Sequence, residues 1–353
     1  MKKRLSYLIL IIIFTSTIGG LYLYTIKADN DTYENKPAEV PEKQADETII
    51  SNDPTTFINN GTAPEFSGLT SWLNSDNPLT LDQFRGKVVL VDFWTYSCID
   101  CTRAIPSITD WYNKYKDQGL VVIGIHTPQY AFEKVTGNVT NAISAQKIPY
   151  PVALDNNYKT WSAYHNQFWP AMYLIDQNGN IVYSQIGGGK YGQTEKAIRT
   201  LLGMEGDYKI PPPPDPTNPE QTPDIYTGST KINKSFGDTE TLGTSEQIFT
   251  FPKKLAKNKI GLEGSWRQDQ ESIIHTKNYG RLLLNFNSAQ LNMIASSPEP
   301  VTVKVYVDDV LIKGVVIKES GSYQLFDSLT AKNHTLRLEI PDSTLQIMSF
   351  IFS

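Results

Sequence analysis

An α/β sandwich on a partly parallel sheet, followed by an all-β sandwich, is the fold this chain predicts. Three observations predict it. Between Pro64 and about Met204, short β-branched runs alternate with helical patterns, the rhythm of strand–helix–strand units. The run "PPPPDPTNPEQTPD", Pro211 to Asp224, is so rich in proline that it stays extended and cannot pack a core. Beyond it the apolar period becomes two, which is the period of strands.

In the first domain, residues 64–205, "KVVLVDFW" reads as a buried strand and "TRAIPSITDWYNKYKDQ" as a helix. Ile105, Ile108, Trp111 and Tyr115 give that helix one apolar face. "LVVIGIH" is a second strand, Phe132 to Gln146 a second helix, and "YPVALD" a short strand. "AMYLID" and "NIVYSQI" form a hairpin over "QNGN", a turn signal. Thr194 to Leu202 closes as a helix. Residues 206–224 are a linker, and residues 225–353 are the β-sandwich, jelly-roll-like in its run of short strands. In "VTVKVYVDD" Val301, Val303, Val305 and Val307 share a face, and in "HTLRLEI" so do Leu336, Leu338 and Ile340. "RLLLNFN", "DVLIKGVVI" and "LQIMSFIF" add further strands.

The first residues give an address. Lys2, Lys3 and Arg4 precede a charge-free stretch from Leu5 to Ile26, long enough to span a ~30 Å hydrocarbon core as a helix. Residues 1–28 therefore read as a membrane anchor or signal, with the basic flank inside and the body outside. Lack of a small-x-small cleavage site and the length of the stretch favour the anchor. Residues 29–63, polar with scattered prolines, read as a tether. A net charge of -5 argues against nucleic acid as a partner, since such a surface needs a basic field.

The chain has two cysteines, both in "WTYSCIDCTRAIP". A zinc site needs four ligands, but there is no second cysteine pair and the four histidines are scattered. Haem attachment needs a histidine directly after the second cysteine, where Thr102 stands. No metal and no cofactor is expected. A strand leading straight into a helix puts Cys98 at the helix N-terminus, with Cys101 one turn on and within disulfide reach. The helix N-terminus stabilises a thiolate, which makes Cys98 the attacking sulfur and Cys101 the resolving one. Asp100 between them opposes this somewhat.

"VDFWTYSCIDCTRAIP" resembles the motif of the thioredoxin superfamily. The resemblance implies a thioredoxin-like fold for the first domain. It further implies that Asp92 is a buried acid that helps deprotonate the resolving cysteine, that Trp94 packs beside the site, and that Pro106 kinks the helix. "FWPAMYLID" is similar to the family's segment with a cis proline, here Pro170, which faces the disulfide and presents backbone to a substrate chain. "GIHTPQYAFEKV", "ALDNNYKTW" and "WPAMYLID" look like the exported redoxin branch, the thioredoxin-like part of DipZ-type proteins. There a carbohydrate-binding-module-like β-sandwich follows. Two departures stand out: this chain has one anchor segment where DipZ-type chains often carry a multi-helix electron-carrying part, and Gln129 stands where the family has an acid.

The resulting expectation is an exported, membrane-anchored thiol–disulfide oxidoreductase of the bacterial envelope, catalytic at Cys98, Cys101 and Asp92. Trp94, Tyr96, Trp169 and Pro170 are expected at the substrate groove. Expected partners are disulfide-bearing exported proteins, a transmembrane electron carrier of the cytochrome-biogenesis type, and cell-wall polysaccharide. One alternative is a thiol peroxidase, although Val91 stands where that signature needs proline. Another is a cell-wall or carbohydrate-binding protein, with Trp266, Tyr279, Tyr306 and Tyr323 as a stacking platform. His126, at the end of the second strand, is read as a hydrogen-bonding rather than a catalytic histidine.

Overall fold

The structure, a computed structural model, describes residues 60–204, 208, 220–230, 242–251 and 254–353. The expected anchor (1–28), nearly all of the tether (29–63) and most of the linker (206–224) lie outside the described residues. Among the described residues no helix is long and apolar enough to cross a membrane.

The first domain contains β1 (Ser71–Leu73), β2 (Val88–Trp94), α1 (Ile99–Tyr115), β3 (Leu120–His126) and α2 (Thr136–Ala145), then β4 (Val152–Leu154), α3 (Lys159–Ala163), β5 (Ala171–Ile175), β6 (Ile181–Ile186) and α4 (Tyr191–Leu201). Its sheet runs β1-β4-β3-β2-β5-β6. The centre, β4-β3-β2, is parallel, and the flanks pair antiparallel. Every residue of β2 is buried, as expected of a central strand covered on both faces. Val88, Leu90 and Trp94 pack with α1, α2 and α4. Val89, Val91 and Phe93 pack on the opposite face with Trp161 of α3. α1 buries the expected stripe of Ile105, Ile108, Trp111 and Tyr115 and carries Pro106 inside it.

Two helices differ from expectation. The helix expected from Phe132 begins only at Thr136, because residues Ala131–Lys134 form a separate 3₁₀ turn and Val135 is extended. Glu133 caps the start of that turn, its carboxylate accepting from the backbone N–H of Gln129 and of Tyr130 (2.9 Å), and the extended Val135 separates it from α2. α4 starts at Tyr191, one turn before the expected Thr194.

The second domain contains β7 (Ile225–Tyr226), β8 (Gln247–Phe249), β9 (Ile260–Gln268), β10 (Ile273–Ser296), β11 (Val301–Val307), β12 (Val310–Ile317), β13 (Gly321–Ile340) and β14 (Leu345–Phe352). All are antiparallel, in the order β12-β11-β13-β10-β14-β7, with β9 on β10 and β8 on β9. The expected strand "RLLLNFN" is the middle of β10, 24 residues long, which pairs with the 20-residue β13 across register shifts at Ser288/Gln290 and Leu291/Asn292. Such bulges bend a strand and sharpen its twist, so the sheet curls into a β-sandwich around one core. Trp266, Phe286, Leu338 and Phe350 lie in that core with almost no exposed surface.

This corrects the stacking platform. Trp266 is wholly buried and donates its indole N–H to the Glu263 carbonyl (2.9 Å), so it packs the sandwich and offers no face to a sugar. Tyr306 lies under the Arg337 guanidinium, 3.8 Å from its ring centroid. Tyr323 packs against the core and donates to the Glu319 carbonyl (2.6 Å). Of the four, Tyr279 alone is largely exposed.

Candidate functional site

β2 ends at Trp94, and after four intervening residues α1 begins at Ile99, with Cys98 as its N-cap. The Cys101 N–H points at Cys98 Sγ, 3.2 Å away, which satisfies one of the donors left over at a helix start. Cys98 and Cys101 are joined as a disulfide, with Cα atoms 5.2 Å apart. The two sulfurs are not equivalent: Cys98 is partly exposed, whereas Cys101 retains 1% of its surface. Trp94, Tyr96, Cys98, Cys101 and Trp169 pack in one apolar cluster, so the structure brings together residues spread over 75 positions of sequence (94 to 169).

The Trp169–Pro170 peptide is cis. Ala171 pairs with Phe93, so Pro170 stands level with Trp94 at the sheet end that carries the redox turn. Trp169 is tied down, its indole N–H donating to the Thr127 carbonyl (3.0 Å) and its ring packed 4.1 Å from that of Trp161. The neighbouring Phe168 is 58% exposed, an apolar surface at this edge that sequence reading passed over. Also passed over were Gly187, Gly188 and Gly189. The Gly187 N–H donates to the Pro170 carbonyl (2.8 Å). A Cβ on Gly188 would lie 3.3 Å from the side chain of Asp100, so this loop passes close to the turn. Three successive glycines were the available signal.

Alternate residues of β2 face alternate sides, and Asp92 shares its side with Leu90, Trp94 and, across the cluster, Cys101. It is 1% exposed, and its Oδ1 has no hydrogen-bond partner. Burial raises its pKa from 3.8 to about 7, the direction expected of a carboxyl taken out of water. Asp100, the acid between the cysteines, is paired with Arg103 at 3.2 Å. That pair is exposed and weak, but it offsets part of the charge that would oppose a Cys98 thiolate.

His126 is fully buried, edge-on to Trp94 (5.3 Å) and stacked on Tyr96 (5.6 Å). Its Nε2 lies 3.3 Å from the Thr95 hydroxyl, and burial lowers its pKa to about 3. A histidine held neutral in this way props Tyr96 and stays uncharged near neutrality. Among the described residues, no group of three or more His, Cys, Asp or Glu side chains converges as metal ligands would.

Comparison with known proteins agrees with this geometry. Residues 59–202 match the Redoxin family model, and residues 222–353 match a model described as Thioredoxin like C-terminal domain. The chain is 31% identical over 140 residues to the thiol-disulfide oxidoreductase YkuV of Bacillus subtilis, which covers 39% of this chain and 93% of that protein. The chain belongs to the thioredoxin-like thiol–disulfide oxidoreductases. This oxidoreductase is also 39% identical over 304 residues to Protein DipZ of Mycobacterium tuberculosis, spanning 83% of this chain and 43% of that protein. It thus spans less than half the length of the DipZ proteins it matches. A thiol-disulfide oxidoreductase ResA, from Bacillus thuringiensis, is 27% identical over 123 residues, 35% of this chain and 68% of that one.

Proposed function

We infer that this oxidoreductase works outside the cytoplasm, tethered by residues 1–28, and reduces disulfides of exported proteins through Cys98 and Cys101. Catalysis belongs to residues 64–205, and residues 225–353 hold the catalyst in the envelope. The observation that carries the reading is the asymmetry of the pair: a partly exposed sulfur at a helix N-cap beside a buried one. Only the first can meet a disulfide in another chain.

The steps follow from that. The Cys98 thiolate attacks one sulfur of the client disulfide, which forms a mixed disulfide and releases the client's other sulfur as a thiolate. Cys101, losing its proton with help from Asp92, attacks Cys98 Sγ and breaks the mixed disulfide. The client leaves with two thiols, having received two electrons, and the Cys98–Cys101 disulfide remains. Tyr96 and Trp169 line the approach, with the expected groove residue Trp94 buried beneath them, and an extended client segment would pair with the cis-proline edge at Pro170. The likeness to DipZ supports a transmembrane carrier as the source of electrons for the next turnover.

The test is the reduction potential of the pair, equilibrated against glutathione or dithiothreitol. A value near that of thioredoxin, about -270 mV, supports a reductase, and one near -120 mV makes the protein an oxidant instead. Finding no reversible two-electron couple would end the redox reading.

A further inference from the structure

One buried charged group close to the redox turn has no part in the exchange steps above. Glu133 has no exposed surface. Its Oε1 accepts from the Ser97 hydroxyl, and its Oε2 from the N–H of Gln129 and of Tyr130 (2.9 Å). A carboxylate is an acceptor only, and burying one is costly unless donors hold it; here the donors are supplied from two segments. Ser97 belongs to the stretch that turns β2 into α1, directly before Cys98. Gln129 and Tyr130 belong to the turn after β3.

That second segment is itself anchored by the sandwich. The Tyr130 hydroxyl donates to Ser349 Oγ at 2.9 Å. Its ring packs with Ile294 and Met348, with Phe132 and Ile351 at the edge of the cluster. The N–H of Ala131 donates to Glu271 (3.1 Å). The chain of contact therefore runs from β10 and β14, through the turn, to Glu133, to Ser97 and so to Cys98.

We propose that Glu133 is a positioning residue for the redox pair, fixing the segment that delivers Cys98 and setting the charge beside it. The inference rests on Cys98 being the attacking sulfur. A buried negative charge near Cys98 disfavours its thiolate, and the Ser97 hydroxyl neutralises part of that charge. The two partners must then act with opposite sign. Removing the charge stabilises the reduced pair; removing the hydroxyl bares the charge and stabilises the disulfide.

The experiment equilibrates the full-length protein and its Glu133→Gln and Ser97→Ala variants with a glutathione redox buffer at one pH, scoring the oxidised fraction by thiol alkylation. Glu133→Gln should move the equilibrium constant about tenfold towards the dithiol, which is about 30 mV for two electrons. Ser97→Ala should move it about threefold towards the disulfide. If both shift in the same direction, or neither shifts by more than twofold, Glu133 only holds the fold together and the proposal fails. Should Glu133→Gln not fold, the sign for Ser97→Ala decides alone. A wild-type couple unmoved by these variants overturns this inference and spares the redox reading; a wild type with no couple at all overturns both.

Discussion

Tyr130, in the turn after β3, donates its hydroxyl to Ser349 of the C-terminal strand at 2.9 Å, and both side chains are buried. With Arg103, whose guanidinium reaches Gln290 (2.7 Å) and Ser353 (2.5 Å), this places the sandwich against the end of the thioredoxin-like domain that carries the redox turn. The contact is specific because the two hydroxyls lie in an apolar cluster, away from water.

Tyr130→Phe keeps the ring packing and leaves Ser349 without this donor. Denaturant unfolding should show a loss of about 1 kcal/mol, the usual net worth of a buried hydrogen bond. A loss below a few tenths would mean that the contact between the domains is loose.

Asp92 makes stability depend on pH. Its folded-state pKa, about 7, stands above its unfolded value near 3.8, so the folded protein holds this proton more tightly. The contribution is fully present below about pH 4 and is lost as pH rises through about 7. The full raise corresponds to on the order of 4 kcal/mol. Asp92→Asn should therefore gain on the wild type from about pH 4 to about pH 7 and level off above it in unfolding experiments. It should also slow resolution of the mixed disulfide about a hundredfold, as loss of a general base does. A variant with wild-type turnover would remove Asp92 from the mechanism.

The two cysteines should fail differently. Cys101→Ser leaves the exposed sulfur and should accumulate a stable mixed disulfide with a model client such as oxidised insulin, visible as a shifted band on a non-reducing gel. Cys98→Ser, with its remaining sulfur 1% exposed, should trap almost none. Equal trapping by both would overturn the assignment of roles.

His126 should not titrate between pH 5 and 8 when its ring protons are followed by NMR. Its folded-state pKa is lowered to about 3, against about 6.5 unfolded. Its contribution to stability is present above pH 6.5 and fades as pH falls towards 3. His126→Phe should flatten that acid limb. A titration near pH 6.5 in the native protein would show that water reaches the ring.

Much of this was legible in the sequence because it is local. The apolar run Val88–Trp94, the stripe Ile105, Ile108, Trp111 and Tyr115, and the short spacing of the cysteines each fix a strand, a helix or a reachable bond within a few residues. Short spacing plus a strand-to-helix junction was enough to place Cys98 at an N-cap. The misses are of two kinds. Phe132–Lys134 carries helical residues, yet it forms only a 3₁₀ turn, Val135 is extended, and the helix waits until Thr136. Trp266 is a different kind of miss: in β9 it shares a face with the buried Ile260 and Leu262, so the period of two already placed it inside.

The sequence by itself determined the two-part architecture and the chemistry, since period and residue type are properties of short stretches. Tertiary structure alone decided that Glu133 is drawn against Ser97, that Trp169 is pinned to Thr127, and that the sandwich sits beside the redox turn. Those are matters of burial and of contacts across 36 to 250 positions, and no local pattern encodes what will lie on the other side.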